Sequence, residues 1–208
     1  MNTQSQMNNS AKLLFIFVLI SPITMLYSQY LAMEKGKIEY GFTIGLSQSS
    51  LQGTPGNVLR FSDSNGISIS THYNYYLSKN WSWNTRLGFD QKGGSDVLAQ
   101  EPDLTLNYLT ISTHPRWHFG KYRKWYFNWG PYLGYLISSN PDDDPFSDEV
   151  RNIDWGISAS IGYKIALPKG LTLVLDAGGQ TGISSIDNTG TFRRVETETG
   201  LFAVGLLF

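Results

Sequence analysis

The sequence predicts an all-β protein, an eight-stranded antiparallel up-and-down transmembrane β-barrel preceded by a cleavable signal peptide. Three observations carry that expectation. Eight short stretches alternate apolar with small or polar residues at period two, and no apolar face holds a charge. The connections between the stretches alternate between tight and long. Aromatic residues gather beside the tight connections, as they do in interfacial girdles.

Residues 1–28 read as the signal peptide, followed by a single barrel domain over 29–208. Lys12 is the only positive charge before Ser28, and Leu13–Ile20 is an apolar run too short to cross a bilayer as a helix. Cleavage is expected after Ser28. Removing Lys12 leaves 15 basic residues against 17 acidic ones, a mature net charge of −2. That balance gives no electrostatic case for nucleic acid. The chain has no cysteine, which excludes disulfides, a lipidated N-terminal cysteine and thiolate metal sites.

The first stretch sets Tyr40, Phe42, Ile44 and Leu46 against Glu39, Gly41, Thr43, Gly45 and Ser47. The second sets Ile67, Ile69, Thr71, Tyr73, Tyr75 and Leu77 against Ser68, Ser70, His72 and Asn74. After the turn at 78–80, the third places Trp81, Trp83, Thr85, Leu87 and Phe89 opposite Ser82, Asn84, Arg86, Gly88 and Asp90. The fourth places Leu109, Ile111, Thr113, Pro115, Trp117 and Phe119 opposite Thr110, Ser112, His114, Arg116 and His118. A second turn, 120–123, leads to the fifth, with Trp125, Phe127, Trp129, Pro131, Leu133 and Tyr135 opposite Tyr126, Asn128, Gly130, Tyr132 and Gly134. The sixth alternates Trp155, Ile157, Ala159, Ile161, Tyr163 and Ile165 with Asp154, Gly156, Ser158, Ser160, Gly162 and Lys164.

A third turn at 167–170 precedes the seventh stretch, which sets Leu171, Leu173, Leu175 and Ala177 against Thr172, Val174, Asp176, Gly178 and Gln180. In the eighth, Phe202, Val204, Leu206 and Phe208 are expected to face outward. Neither of its faces is polar, so the aromatic rings decide its orientation. The long connections are expected at about 48–65, 93–104, 138–152 and 184–199. Pro115 and Pro131 cannot donate to a ladder, and because alternation continues through both they read as bulges or ladder breaks rather than strand ends.

Lipid is expected outside and polar groups inside. A water-facing sheet would carry more Lys and Glu than Gly, Ser, Thr and Asn. Small inward residues instead suit the crowded interior of eight strands. An even strand count puts both termini on the tight-turn side, which this reading places in the periplasm.

The segment Trp129-Gly130-Pro131-Tyr132-Leu133-Gly134-Tyr135-Leu136, following the strand that begins Tyr108-Leu109-Thr110-Ile111, resembles the PorT-like outer-membrane β-barrel family of Bacteroidota. The resemblance spans about residues 37 to 208. In this chain the fourth strand reads Thr113-His114-Pro115, which displaces the proline relative to the family's Ile-Pro. The resemblance implies an exported eight-stranded barrel in the outer membrane. Most members have no assigned activity, and the founding member belongs to a protein-secretion and gliding system.

The inward charges Glu39, Arg86, Asp90, Arg116, Asp154, Lys164 and Asp176 are expected to pair across strands as a plug, because an unpaired charge in a dry interior is costly. The alternative is an ion path, making a small channel. His114 and His118 stand roughly 13 Å apart along one face, too far to share a metal without distortion. An enzymatic alternative, lipid A modification, would use Ser112 with His114 or Ser70 with His72, and needs an acid that the spacing does not supply. The acidic run Asn140–Glu149 lacks the ordered spacing of a calcium loop and reads as solvated.

No catalytic, cofactor or metal residue is assigned, and no cofactor is expected. The expected partners are outer-membrane lipid and, through the long loops, other proteins. The function expected is a non-enzymatic, monomeric outer-membrane barrel with a structural or binding role in those loops.

Overall fold

The computed structural model describes residues 34–53, 61–96, 104–140, 151–185 and 195–208. The signal-peptide expectation and most of the acidic run lie outside them. Eight strands follow in chain order: β1 (Ile38–Gly53), β2 (Phe61–Tyr76), β3 (Trp81–Asp96), β4 (Leu104–Phe119), β5 (Trp125–Asn140), β6 (Ile153–Ala166), β7 (Thr172–Gly182) and β8 (Val195–Leu207). Each pairs antiparallel with its chain neighbours, and β1 pairs with β8 to close the barrel. Closure leaves no sheet edge unpaired, as a lipid environment requires.

Every outward face predicted from the alternation points outward. Phe42, Leu87, Ile161 and Phe202 are half exposed, while Thr43, Arg86, Lys164, Ala203 and Leu207 are buried. The barrel thus wears an apolar coat around a polar filling. A soluble domain would hide such a coat, since contiguous apolar patches of this extent mark membrane or protein contact. The rings stack along the wall beside the tight turns: Trp117 on Phe119 at 4.9 Å, Trp125 against Tyr163 at 4.8 Å and Phe127 on Trp129 at 5.4 Å. Trp83 Nε1 donates to Thr113 Oγ1 at 2.7 Å on this outward face. Hydrocarbon offers that N–H no acceptor, so the neighbouring strand supplies one.

The strands outlast the alternation. β1 runs on to Gly53, β2 starts at Phe61, β3 reaches Asp96, β5 reaches Asn140 and β8 begins at Val195, all inside segments expected to be loops. The reason is chemical. Above Leu46, Ile67, Phe89 and Leu109 the outward positions become Gln48, Asn65, Gln91 and Asn107, so the apolar signal stops while backbone pairing continues. Gln91 Nε2 donates to Asn107 Oδ1 at 3.2 Å, and Asn107 Nδ2 to Ser138 Oγ at 3.0 Å, forming part of a polar collar.

Both prolines interrupt one ladder only. Between the pairs Ser112–Tyr132 and Arg116–Asn128 the β4–β5 pairing lapses, then resumes in the same register. Pro115 still sits opposite Trp83 of β3, and Pro131 opposite Ile157 of β6. They are ladder breaks rather than bulges. The β4–β5 register shift lies higher, at Asn107/Tyr108.

Candidate functional site: the polar interior

The inward side chains stack in three tiers. Beside the tight turns, Lys164 Nζ meets Glu39 Oε2 at 2.5 Å and the Tyr76 hydroxyl at 2.6 Å, and that hydroxyl also donates to Glu39 at 2.8 Å. Lys37 reaches the other carboxylate oxygen at 3.2 Å from the rim. His118 stacks on the Tyr76 ring at 5.2 Å and shares a hydrogen bond with Ser82 at 2.9 Å. Five strands, β1, β2, β3, β4 and β6, are therefore tied at one level.

At mid-height Arg86 donates two bonds to Asp90, at 2.9 and 2.5 Å, and a third to Ser68 at 2.9 Å. Asn84 donates to Asn74 at 2.8 Å. Arg116 makes no ion pair among the described residues; its guanidinium carbon lies 4.1 Å from the Tyr126 ring centroid. The Tyr126 hydroxyl donates to Asp176 at 2.5 Å. Gly162 makes room for that ring, since a Cβ there would overlap the phenol. A cavity of about 60 Å³ lies at this level, with His72, Arg86, His114, Arg116, Tyr126 and Asp176 in its lining. It is large enough for a few waters.

Toward the long connections Lys92 Nζ donates to Asp154 Oδ2 at 2.8 Å and lies 4.5 Å from the Tyr132 ring centroid. Tyr132, Thr197 and Ser184 donate to the same carboxylate at 3.1, 3.1 and 3.2 Å. Leu51, Leu106 and Tyr108 are fully buried at this end.

The seven charges expected inside are all placed there, and their pairing differs from expectation in three ways. Arg86 and Asp90 pair along one strand rather than across two, because residues four apart on a strand share a face. Arg116 and Asp176 do not touch; Tyr126 stands between them as a cation–π acceptor for one and a hydrogen-bond donor for the other. Lys92 is an eighth interior charge. Its place past the end of the alternation hid it, since its segment follows the last outward apolar residue of β3, Phe89. The eight charges balance, four of each sign.

The histidines stay apart. His72 bonds Thr43 at 3.0 Å and Ser70 at 3.2 Å. His114 turns away from Ser112 and bonds Ser158 of β6 at 2.7 Å, leaving its Nδ1 without a partner. The Ser112–His114 dyad of the enzymatic alternative is therefore not formed, and the nitrogen that an acid would orient is bare. The Ser70–His72 contact exists, inside the wall.

The chain is similar in structure to the outer membrane protein OprG of Pseudomonas aeruginosa, at 8% identity and a TM-score of 0.50, covering 84% of this chain and 97% of that one. It is also similar to Ail, the attachment invasion locus protein of Yersinia pestis, at 15% identity and a TM-score of 0.45, covering 84% of this chain and 99% of Ail. For the outer membrane protein W of E. coli the values are 14%, 0.44, 84% and 99%. No curated protein sequence matches the chain. The family model for the outer membrane protein beta-barrel domain matches residues 4–188, most of the chain, and the protein belongs to that family: it is an eight-stranded outer-membrane β-barrel.

Proposed function

We propose that this protein is a sealed, non-enzymatic outer-membrane barrel whose long connections, on the cell exterior, do its binding or structural work, with both termini and the tight turns in the periplasm. The observation that carries this reading is the three-tier filling. An open ion path needs mobile water along its whole length. Here the Glu39–Lys164–Tyr76 tier and the Lys92–Asp154–Tyr132 tier flank the central cavity, each with direct bonds of 3.1 Å or less. Eight-stranded barrels have just enough interior for side chains. Tight turns in the periplasm and longer extracellular connections are the usual sidedness of such barrels. The motif Trp129–Leu136 supports placing the chain with the PorT-like barrels, and a secretion partner would then engage the long connections.

Planar-bilayer recording tests the seal. The purified barrel is expected to show no steady conductance, and stable nanosiemens openings would overturn the reading. Mass spectrometry of lipid A from cells with and without the protein is expected to give identical spectra; a lost or gained acyl chain would establish an enzyme. Pull-down of the intact membrane complex identifies any partner of the long connections.

A further inference from the structure

The charges on this barrel are sorted by end. The three tight turns and the segment entering β1 carry Lys35, Lys37, Lys79, Lys121, Arg123, Lys124 and Lys169 against one carboxylate, Glu34. By sequence, the four connections at the opposite end carry eight carboxylates against four arginines. Among the described residues the eight interior charges cancel, so the two ends set the charge asymmetry, with its positive pole at the tight turns.

That pole is built rather than scattered. Arg123, in a left-handed conformation at φ 52°, donates from Nε to Asn80 Oδ1 at 3.2 Å, which ties the β4–β5 turn to the β2–β3 turn. Asn80 donates in turn to the His118 carbonyl at 3.4 Å, and the His118 amide donates back to the Asn80 carbonyl at 2.7 Å. Gly120, at φ 83°, accepts from the Arg123 amide at 3.1 Å and closes the turn. On this clamped platform Lys121 and Lys124 lie 5.5 and 5.9 Å from the ring centroid of the exposed Tyr122. Lys79 is exposed on the neighbouring turn. The girdle rings of Trp81, Trp117 and Trp125 stand at the adjoining strand ends. Rings of that kind settle at headgroup depth, so the cations just beyond them lie at the level of lipid phosphate.

We infer that the tight-turn platform of Lys79, Lys121, Arg123 and Lys124 binds anionic phospholipid headgroups and gathers them around the periplasmic end of the barrel. Its assignment to the periplasmic leaflet rests on the orientation proposed above; the headgroup preference does not. The attraction is to a phosphate surface, so it weakens with salt as a screened interaction does.

The test uses tryptophan fluorescence, because Trp81, Trp83, Trp117 and Trp125 all lie near this end. The full barrel is placed in phosphatidylcholine vesicles doped equally with brominated phosphatidylglycerol or brominated phosphatidylcholine. Each cation near an anionic surface gives about a fivefold preference, so the brominated phosphatidylglycerol is expected to quench as though enriched about fivefold or more. In a K79Q/K121Q/K124Q variant, which leaves the Arg123–Asn80 tie intact, the ratio is expected to fall toward one, and 0.5 M NaCl should lower it in the unsubstituted protein. Equal quenching by the two lipids, or an unchanged ratio in the variant, would overturn the inference. Glycerophosphate at matched ionic strength should act no more strongly than NaCl; selective displacement by it would replace the lipid surface with a discrete phosphate site. Trypsin reaching Lys121 or Lys124 in intact cells would overturn the periplasmic assignment alone, and the vesicle ratio would still decide the headgroup preference.

Discussion

The Arg116 guanidinium and the Asp176 carboxylate are joined through Tyr126, whose ring receives the cation at 4.1 Å and whose hydroxyl donates to the anion at 2.5 Å. One tyrosine thus serves both halves of a separated ion pair. Y126F keeps the ring and removes the donor. Hydrogen bonds to charged groups contribute about 1.5–3 kcal/mol, so Y126F is expected to destabilise the barrel by about 2 kcal/mol in urea unfolding from lipid vesicles. D176N should lower that loss, because an uncharged partner needs the phenol less. A full, undiminished loss in the double variant would show that the bond is not the source.

The tier nearest the tight turns gives a sharper contrast. K164M takes the buried cation from Glu39, which keeps Lys37 at the rim and the Tyr76 hydroxyl; breaking a buried pair costs about 3–5 kcal/mol, so a loss of up to that size is expected. E39Q/K164M removes both charges and should recover most of it. Unfolding midpoints of the two variants, with heat-modifiable gel migration as a check on folding, measure the difference.

Gly162 yields a steric prediction. Its missing Cβ is the space that the Tyr126 ring fills. G162A is expected to cost about 1–3 kcal/mol by overpacking. In a Y126L background, where no ring lies over residue 162, G162A should cost less than it does in the unsubstituted barrel, measured again by unfolding.

The collar marks where lipid ends. Leu87 lies within the outward apolar belt, and Gln48 lies on the collar above Leu46. Arginine at the bilayer midplane of a barrel costs about 2–4 kcal/mol and near the interface about 0–1 kcal/mol. L87R is therefore expected to lower folding stability in vesicles far more than Q48R does. Equal penalties would place the membrane boundary elsewhere.

The strand count, the closure and the facing of every side chain within the belt were legible because lipid imposes a strict alternation. Beta-strand 8 is instructive: Leu201, Ala203 and Leu207 spoil its polar face, yet Phe202 and Phe208 suffice to orient it. Above the belt no such constraint acts on the outward positions, so the upper parts of β1, β3 and β8 looked like loops and Lys92 went unseen. The interior partners were not legible for a different reason. Alternation says which residues point inward, while the choice between Ser112 and Ser158 for His114 depends on the stagger of neighbouring strands. That stagger is set by backbone register and leaves no mark on composition. Tyr126 was expected to face inward, but nothing in its spacing announces that it couples Arg116 to Asp176.

The pairing that continues above the collar also bears on how this protein can change over generations. The β1–β2 and β3–β4 connections start and end on hydrogen-bonded backbone that continues past the last outward apolar residues. An insertion, deletion or replacement there need not alter a single residue in contact with lipid or with the interior charges. Selection on these connections is thereby separated from selection on assembly, and they are free to diversify on a base that stays constant.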